Sequence, residues 1–562
     1  MSQKRVVGRG NSRELLQMAD RPRDHCGVVG VAFEDELSAT RTMRQRLREE
    51  GEYYLIPPEN GHASYRIYSA LLQLQHRGQD SAGIATFDKF AGPEIHVNVV
   101  RGLVTQFSER EERAKKGHGP LERLPGSMGI GHVRYCTSAS PGLKDAQPIV
   151  FQVDNWRMAV AFNGTITNAG QLRESLRGDH KFHSSVDTEV LGALLAKHLR
   201  KGRGLEQALG EVAQQAEGGY AMVVLTSRGG GELAALRDPH GIRPLAMGQS
   251  DENAVMFASE TVALHATGFS YWRMIKPGEV NIVYGTEPIN LLTKQLVTAA
   301  QSVCQFEHVY FSRPDSLVDG PSSMPAVNSM VVGRSIYKVR FKLGEELARS
   351  YATESMRSDP KNWAIVPVPD SSRTASEGIA SAIGIPVVEA LIKNRYIHRT
   401  FILPTPEERK RAVTAKFHAV PDSVTGKSVI LVDDSIVRGT TISSPVRMLR
   451  QAGAERVEVW ITEPPVVSYC PYGIDMANRD ELIAAKENVE TIRARIEADR
   501  LCYQTTEGLK RAIGLGDEIC TGCLTGKYPT PIAQQISDSL IGQKVVGRLV
   551  ELKQKPNGRV PA

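Results

Sequence analysis

Three short, largely apolar runs that read as buried strands constrain the second half of the chain: AIVPVP at 364–369, VILVDD at 429–434 and VEVWIT at 457–462. Continuous apolar sequence is what a strand buried on both faces requires. Amphipathic stretches separate the runs. After Gly439, the residues Ile442, Val446 and Leu449 share one helical face, and Gly453 suits a helix end. Strand–helix alternation predicts a parallel α/β sheet. The first half reads differently. Short strand-like runs at 159–162, 221–225 and 280–283 are broken by Gly and Asn, with helical stretches such as 188–199 between them. That pattern predicts layers of mostly antiparallel sheet with helices. The change falls near 285–305. Beyond about 475 the chain reads as mainly helical, then ends in a Cys- and Gly-containing segment and a basic tail.

A chain of 562 residues has room for two or more domains. Hydrophobic content of 41% and charged content of 23% are ordinary for a soluble protein. The net charge of +6 is small for this length, and no Lys/Arg run with interleaved aromatics argues for nucleic acid. No apolar run approaches the ~18–20 residues of a membrane span. The first 25 residues are basic and polar, without the apolar centre of a secretory signal. A cytoplasmic protein is expected. Seven cysteines, an odd number in a large chain, point to reduced, catalytic or metal-binding thiols.

The run VILVDDSIVRGTT, 429–441, carries chemistry. Ligands of open α/β sheets bind beyond the carboxyl ends of the strands, where Asp433 and Asp434 stand. Two acceptor-only carboxylates suit two neighbouring sugar hydroxyls. Residues 435–441 open a helix, whose N–H groups, with the Thr440 and Thr441 hydroxyls, suit a phosphate. Gly439 lets the backbone come close. An Asp pair alone is more often a solvated strand end; the apolar run before it and RGTT after it set this one apart. The stretch resembles the phosphoribosyl diphosphate (PRPP) signature of type I phosphoribosyltransferases. VPVPDSS, 366–372, resembles that family's pyrophosphate loop, and KNRYIHRTFI, 393–402, the start of its closing loop, continuing to Lys416. The resemblance implies that Asp370, Ser371, Lys393, Tyr396, Lys416, Asp433, Asp434, Ser435, Arg438, Gly439, Thr440 and Thr441 bind PRPP with Mg2+. His418 stands where that family more often has Asn.

In DHCGVVGV, 24–31, Cys26 precedes a Gly-punctuated apolar strand. A lone Cys there is ordinarily a buried hydrophobe. The surrounding constellation changes its meaning: LQLQHRGQDSAGIAT (72–86, with LQHRGQD read as a helix), GIGHVRYCTSAS (129–140), AFNGTITN (161–168), SSVDTEVL (184–191), GGYAMVVL (218–225), RDPHGIRPL (237–245) and ASETVAL (258–264). Together these resemble an N-terminal-nucleophile (Ntn) glutamine amidotransferase domain with its αββα fold. With the PRPP signature, residues 24–530 resemble the amidophosphoribosyltransferase family. The resemblance implies an Ntn-hydrolase glutaminase domain at 26–295 and an α/β type I phosphoribosyltransferase domain at 296–562. It makes Cys26 the nucleophile, activated by its own α-amino group. Asn163 and Gly164 become the oxyanion hole. Arg134 pairs with the glutamine α-carboxylate and Asp187 with its α-ammonium. A free amine on Cys26 requires loss of residues 1–25, a propeptide expected to be cut between His25 and Cys26.

The same resemblance matches Cys304, Cys470, Cys520 and Cys523 to the ligands of a structural [4Fe–4S] cluster. Four thiolates also suit zinc. Cys136 and Cys502 remain as ordinary thiols. The implied reaction takes glutamine, PRPP and water to 5-phosphoribosylamine, glutamate and pyrophosphate, the first committed step of purine biosynthesis. Purine nucleotides are expected as feedback inhibitors, and a homodimer or homotetramer as the assembly. Segments within 34–63 and 319–333 read as insertions without an assigned role. Three other readings stay open: an amidotransferase acting on a sugar phosphate, against which the PRPP motifs speak; a PRPP-binding regulatory protein; and an ammonia-only phosphoribosyltransferase, if Cys26 is not unmasked.

Overall fold

The structure is a computed structural model and describes residues 26–33, 63–90, 92–113, 119–135, 143–251, 253–285, 289–321, 333–394, 417–439, 442–474 and 482–539. Residues 1–25, the insertion through 62, Cys136, Tyr396, Lys416, Thr440 and Thr441 lie outside that description.

The first half contributes strands β1 (Gly27–Ala32), β2 (Ser81–Phe87), β3 (Ile95–Arg101), β4 (Met128–Arg134), β5 (Ile149–Val153), β6 (Trp156–Ile166), β7 (Gly218–Thr226), β8 (Glu232–Arg237), β9 (Ala246–Gln249), β10 (Val255–Ala258), β11 (Ser270–Met274), β12 (Glu279–Tyr284) and β13 (Asn290–Gln295). They form a seven-stranded sheet, β11-β9-β10-β1-β4-β2-β3, and a six-stranded sheet, β13-β12-β8-β7-β6-β5. The two sheets face each other across a core that includes Val28, Ala85, Ile130, Ala161, Val223 and Phe257. The helices Ala63–Gln73 and Thr261–His265 cover the outer face of the first sheet. Ala169–Ser175, Asp187–Arg200 and Leu205–Gln215 cover the second. The result is an αββα sandwich. Strands covered on both faces cannot alternate apolar with polar residues. Hence β1, β2, β4 and β7 are buried at every position.

The second half adds β14 (Val303–Cys304), the pair β15 (Leu317–Val318) with β16 (Arg334–Ser335), then β17 (Trp363–Pro367), the pair β18 (Leu391–Lys393) with β19 (Phe417–Ala419), and β20 (Ser428–Asp433), β21 (Arg456–Ile461), β22 (Arg500–Tyr503) and β23 (Ile519–Cys520). The order β17-β20-β21-β22 is a parallel sheet. Successive residues point to opposite faces. Ile430, Val432 and Trp460 accordingly meet the helices Ile336–Tyr351 and Arg373–Ile383. Val429, Leu431, Val459 and Ile461 meet Ser443–Gln451 and Val489–Arg495. Ile442, Val446 and Leu449 are buried on one side, and Gly453 has φ +94° just past that helix.

Two expectations need correction. The region beyond 475 is not simply helical, because β22 supplies the fourth strand of the parallel sheet. The LQHRGQD stretch, 74–80, is not helical: the helix before it ends at Gln73, and residues 74–77 fold into turns that aim Arg77 inwards.

The halves are fastened by buried charge. Arg77 Nη2 donates to Glu307 Oε2 at 2.6 Å, and Arg77 Nε donates to Glu260. Glu260 also accepts from the Arg313 N–H at 2.9 Å and the Ser316 hydroxyl at 2.7 Å. Arg237 forks onto Asp319 at 2.6 and 2.8 Å. Asp319, the first residue of the second insertion-like segment, is therefore part of the join.

Candidate active sites

Cys26 is half-buried and stands immediately before β1. The register pairs Gly27 with Val133, so one further step brings Cys26 beside Arg134 at the end of β4. Arg134 is buried, with Nη2 4.0 Å from Asp145 Oδ2. Asn163 and Gly164 lie in β6, in the facing sheet. Asn163 is fully buried, and among the described residues neither its Oδ1 nor its Nδ2 has a hydrogen-bond partner. A buried, unpaired amide costs about 1–3 kcal/mol, so this one is an open demand for a ligand.

Strand parity shows where the Gly164 N–H points. Gly164 lies opposite Tyr220. Tyr220 turns its N–H to Asp238 Oδ2 (3.1 Å), and its carbonyl accepts from the Asp238 N–H (2.9 Å), both on the β8 side. In an antiparallel pair the opposite residue then also turns its backbone groups away. Gly164 therefore faces the outer edge of β6, beyond Ile149, where β5 begins. Along that edge the Phe162 N–H is taken by Gln147 Oε1 at 2.8 Å, and the Ile166 N–H by Asp187 Oδ2 at 3.0 Å. The Gly164 N–H lies between these two occupied positions. Glycine is required there: φ is +141°, and a Cβ would stand 2.1 Å from the Gly219 carbonyl oxygen. Asp187 opens the helix Asp187–Arg200, half-buried at the same edge. The structure thus gathers Asn163, Gly164 and Asp187 on one strand edge, and Cys26 with Arg134 at adjacent strand ends of the opposing sheet.

The second site lies at the carboxyl ends of β17 and β20. Asp433 and Asp434 are buried. Ser371 Oγ donates to Asp434 Oδ2, Ser372 Oγ to Asp433 Oδ1 at 3.3 Å, and Ser435 Oγ to Asp434 Oδ1 at 3.2 Å. The loop after β17 and the Asp pair are therefore one unit. Asp370, exposed at the loop tip, accepts from Lys393 Nζ at 2.6 Å. Gly439 has φ +79°, and its carbonyl accepts from Ser443 Oγ at 2.9 Å, closing the turn into the next helix. Arg438 is half-buried in that turn. Ser372 escaped the sequence reading, although it adjoins Ser371 in the same motif. So did Glu463, just past β21. It is fully buried, and burial first, then the Asp434 charge, push its pKa well up against the opposing effect of Gln305.

The four expected cluster cysteines come together. Cys304 and Cys520 are register partners in β14 and β23. Cys304 and Cys523 belong to one apolar core, with Cys470 and Cys520 packed against it. Gln305 Nε2 lies 3.5 Å from Cys523 Sγ. Burial raises the Cys304, Cys520 and Cys523 thiols, Cys520 to about 12, and the neighbouring cysteines add to the shift for Cys304 and Cys523. Among the described residues, no group of three or more His, Cys, Asp or Glu side chains is disposed to hold a metal ion. Cys502 is an ordinary buried thiol of β22.

Comparison with known proteins adds independent findings. A glutamine amidotransferase domain family matches residues 136–266, and a phosphoribosyl transferase domain family matches 340–462. The amidophosphoribosyltransferase of Methanothermobacter thermautotrophicus is 39% identical over 92% of this chain and 97% of its own. That of Bacillus subtilis is 38% identical over 83% of this chain and 91% of its own. The solved glutamine PRPP amidotransferase from B. subtilis, complexed with ADP and GMP, superposes with a TM-score of 0.73 at 35% identity, covering 90% of this chain and 98% of that one. The two-domain architecture and the sequence across nearly the whole length agree: this chain belongs to the amidophosphoribosyltransferase family.

Proposed function

We propose that the chain hydrolyses glutamine at Cys26 and transfers the ammonia to C1 of PRPP, yielding 5-phosphoribosylamine, glutamate and pyrophosphate at the entry to purine biosynthesis. The observation that supports this is the pairing of two complementary sites in one chain: a strand edge with the buried Asn163 amide, unpartnered among the described residues, facing a thiol-bearing strand, and a buried Asp pair held by the loop that would take pyrophosphate.

At the first site Arg134 takes the glutamine α-carboxylate and Asp187 the α-ammonium. Cys26 attacks the side-chain amide, with the free amine of the processed residue as base. The Gly164 N–H and the Asn163 amide hold the developing oxyanion. At the second site Asp433 and Asp434 exchange their serine hydrogen bonds for the ribose hydroxyls. Residues 435–441 hold the 5′-phosphate, and Asp370, Ser371 and Lys393 hold pyrophosphate. Tyr396 and Lys416, outside the described residues, belong to the loop that closes and excludes water. Hard carboxylate oxygens here suit magnesium, which would neutralise the diphosphate while keeping substrate and water ligands. Ammonia released into neutral water would be mostly protonated, so an enclosed passage between the halves is expected.

Four cysteines in and against one apolar core supply a donor set that suits an iron–sulfur cluster, or zinc, as a structural staple once their side chains turn to a common centre. Iron and acid-labile sulfide measured per chain after anaerobic purification decide between them. Purine nucleotides, whose phosphate fits the loop at Arg438 and Gly439, are proposed as inhibitors, a dimer or tetramer as the assembly, and the cytoplasm as the location. No described helix is long and apolar enough to cross a membrane.

The test separates the sites. Cys26→Ala should abolish glutamine-dependent pyrophosphate release and keep the ammonia-dependent reaction. Asp433→Asn with Asp434→Asn should abolish both. Full ammonia-dependent turnover in the double Asp variant would overturn the assignment.

A further inference from the structure

Two side chains with no role in the reaction above hold the oxyanion strand at the residue just before the donors. Phe162 has both outward backbone groups occupied. Its N–H donates to Gln147 Oε1 at 2.8 Å, and its carbonyl accepts from His132 Nε2 at 3.1 Å. A peptide group is planar. The Phe162 carbonyl and the Asn163 N–H belong to one plane, so fixing the carbonyl fixes the tilt with which Asn163 enters. His132 is fully buried and sits on β4, two residues before Arg134. β4 pairs with β1, whose head carries Cys26. The imidazole is thus a strut between the sheet that carries the nucleophile and the strand that carries the oxyanion donors. Its Nδ1 is buried with no partner among the described residues. With Nε2 donating, that is the neutral tautomer whose remaining nitrogen needs no proton.

We infer that His132 is a positioning residue for glutamine hydrolysis: its Nε2–H clamps the Phe162 carbonyl, with Gln147 holding the other side, and so sets the gap between the Cys26 strand and the Asn163–Gly164 donors. This rests on the glutaminase reading of the Cys26 site. Burial, then the Arg134 charge, push His132 down to about 3, which keeps the ring neutral at any working pH. Oxyanion donors act only when placed near 2.7–3.1 Å from the oxyanion, and a displacement of about 1 Å costs roughly 100-fold.

The test uses the full-length processed protein and three variants. His132→Leu fills the space without a donor. His132→Gln offers an amide N–H where Nε2 was. Gln147→Leu removes the opposite clamp. Glutamate formation from glutamine should fall ~10–100-fold in kcat for His132→Leu, with KM within about threefold, because the loss lies in the transition state. His132→Gln should recover most of that loss, and Gln147→Leu should reproduce part of it. Ammonia-dependent pyrophosphate release, and alkylation of Cys26 by iodoacetamide, should stay near wild type, since neither needs the oxyanion donors. The inference is overturned if His132→Leu keeps its kcat, if His132→Gln is as impaired as His132→Leu, or if ammonia turnover and Cys26 alkylation fall in proportion. Wild-type protein that turns over ammonia but not glutamine would instead remove the glutaminase reading itself.

Discussion

At the scale of single residues, the features that mark function are polar groups the fold leaves unsatisfied or oddly protonated. Asn163 is one: fully buried, with both amide atoms unpartnered among the described residues. Asn163→Ala should lower glutamine-dependent kcat by ~100–1,000-fold and leave ammonia-dependent kcat unchanged; steady-state rates with each nitrogen source check it. His132 is another. In the unfolded chain its proton binds near pH 6.5, and in the folded chain only near 3. Between those values the unfolded state binds more protons. Stability therefore falls as pH drops from about 6.5 towards 3, by at most about 1.4 kcal/mol per pH unit for this group. His132→Gln removes that dependence. Urea midpoints at pH 7 and pH 5 should converge for the variant relative to wild type; parallel profiles would count against a neutral, buried ring.

At the scale of elements, β6 shows how a strand becomes a site. Its outer edge is paired by β5 only as far as Val160, and the rest is offered to side chains and substrate. Gly164 keeps that edge close to β7. Gly164→Ala would force a Cβ to within 2.1 Å of the Gly219 carbonyl oxygen. The expected cost is at least about 1–3 kcal/mol, visible as a lower melting temperature together with lost glutaminase activity. Legibility varied by element for physical reasons. The parallel strands β17 and β20 were readable because burial on both faces writes an unbroken apolar run; β21 interrupts its run with the buried Glu458, held by Arg456 and the Trp460 indole N–H. β22 was missed: four residues starting at Arg500 are too short for any period to emerge. In the first half, the all-buried strands of the double sheet lack alternation, so resemblance of motifs, not periodicity, led to Cys26, Arg134 and Asp187. Nothing in sequence linked Gln147 or His132 to Phe162, because those bonds cross between loops and sheets.

At the scale of the whole molecule, the two halves are joined by ions that sequence cannot pair. Arg77 lies 183 residues from Glu260 and 230 from Glu307. Burial alone would lower the Arg77 pKa, but the two carboxylates outweigh it and raise it. Arg77 in turn holds Glu260 well below the usual carboxylate range, against the effect of burial. Arg77→Met would take the shared guanidinium from two buried carboxylates, leaving Glu260 to His76 and Glu307 to Arg243 at 3.9 Å, and should cost about 3–5 kcal/mol, read as a lower urea midpoint. The variant should also lose glutamine-dependent product formation more than either half-reaction measured alone, because Arg77 seats the segment that joins the sites.

The measurement that bears most directly on the two-site account is pyrophosphate release from PRPP with magnesium, in anaerobically purified protein, once with glutamine and once with ammonia at raised pH. Turnover with both is the predicted result. Failure with both, in protein shown to be folded and metal-loaded, would contradict the account and leave a PRPP-binding protein without catalysis.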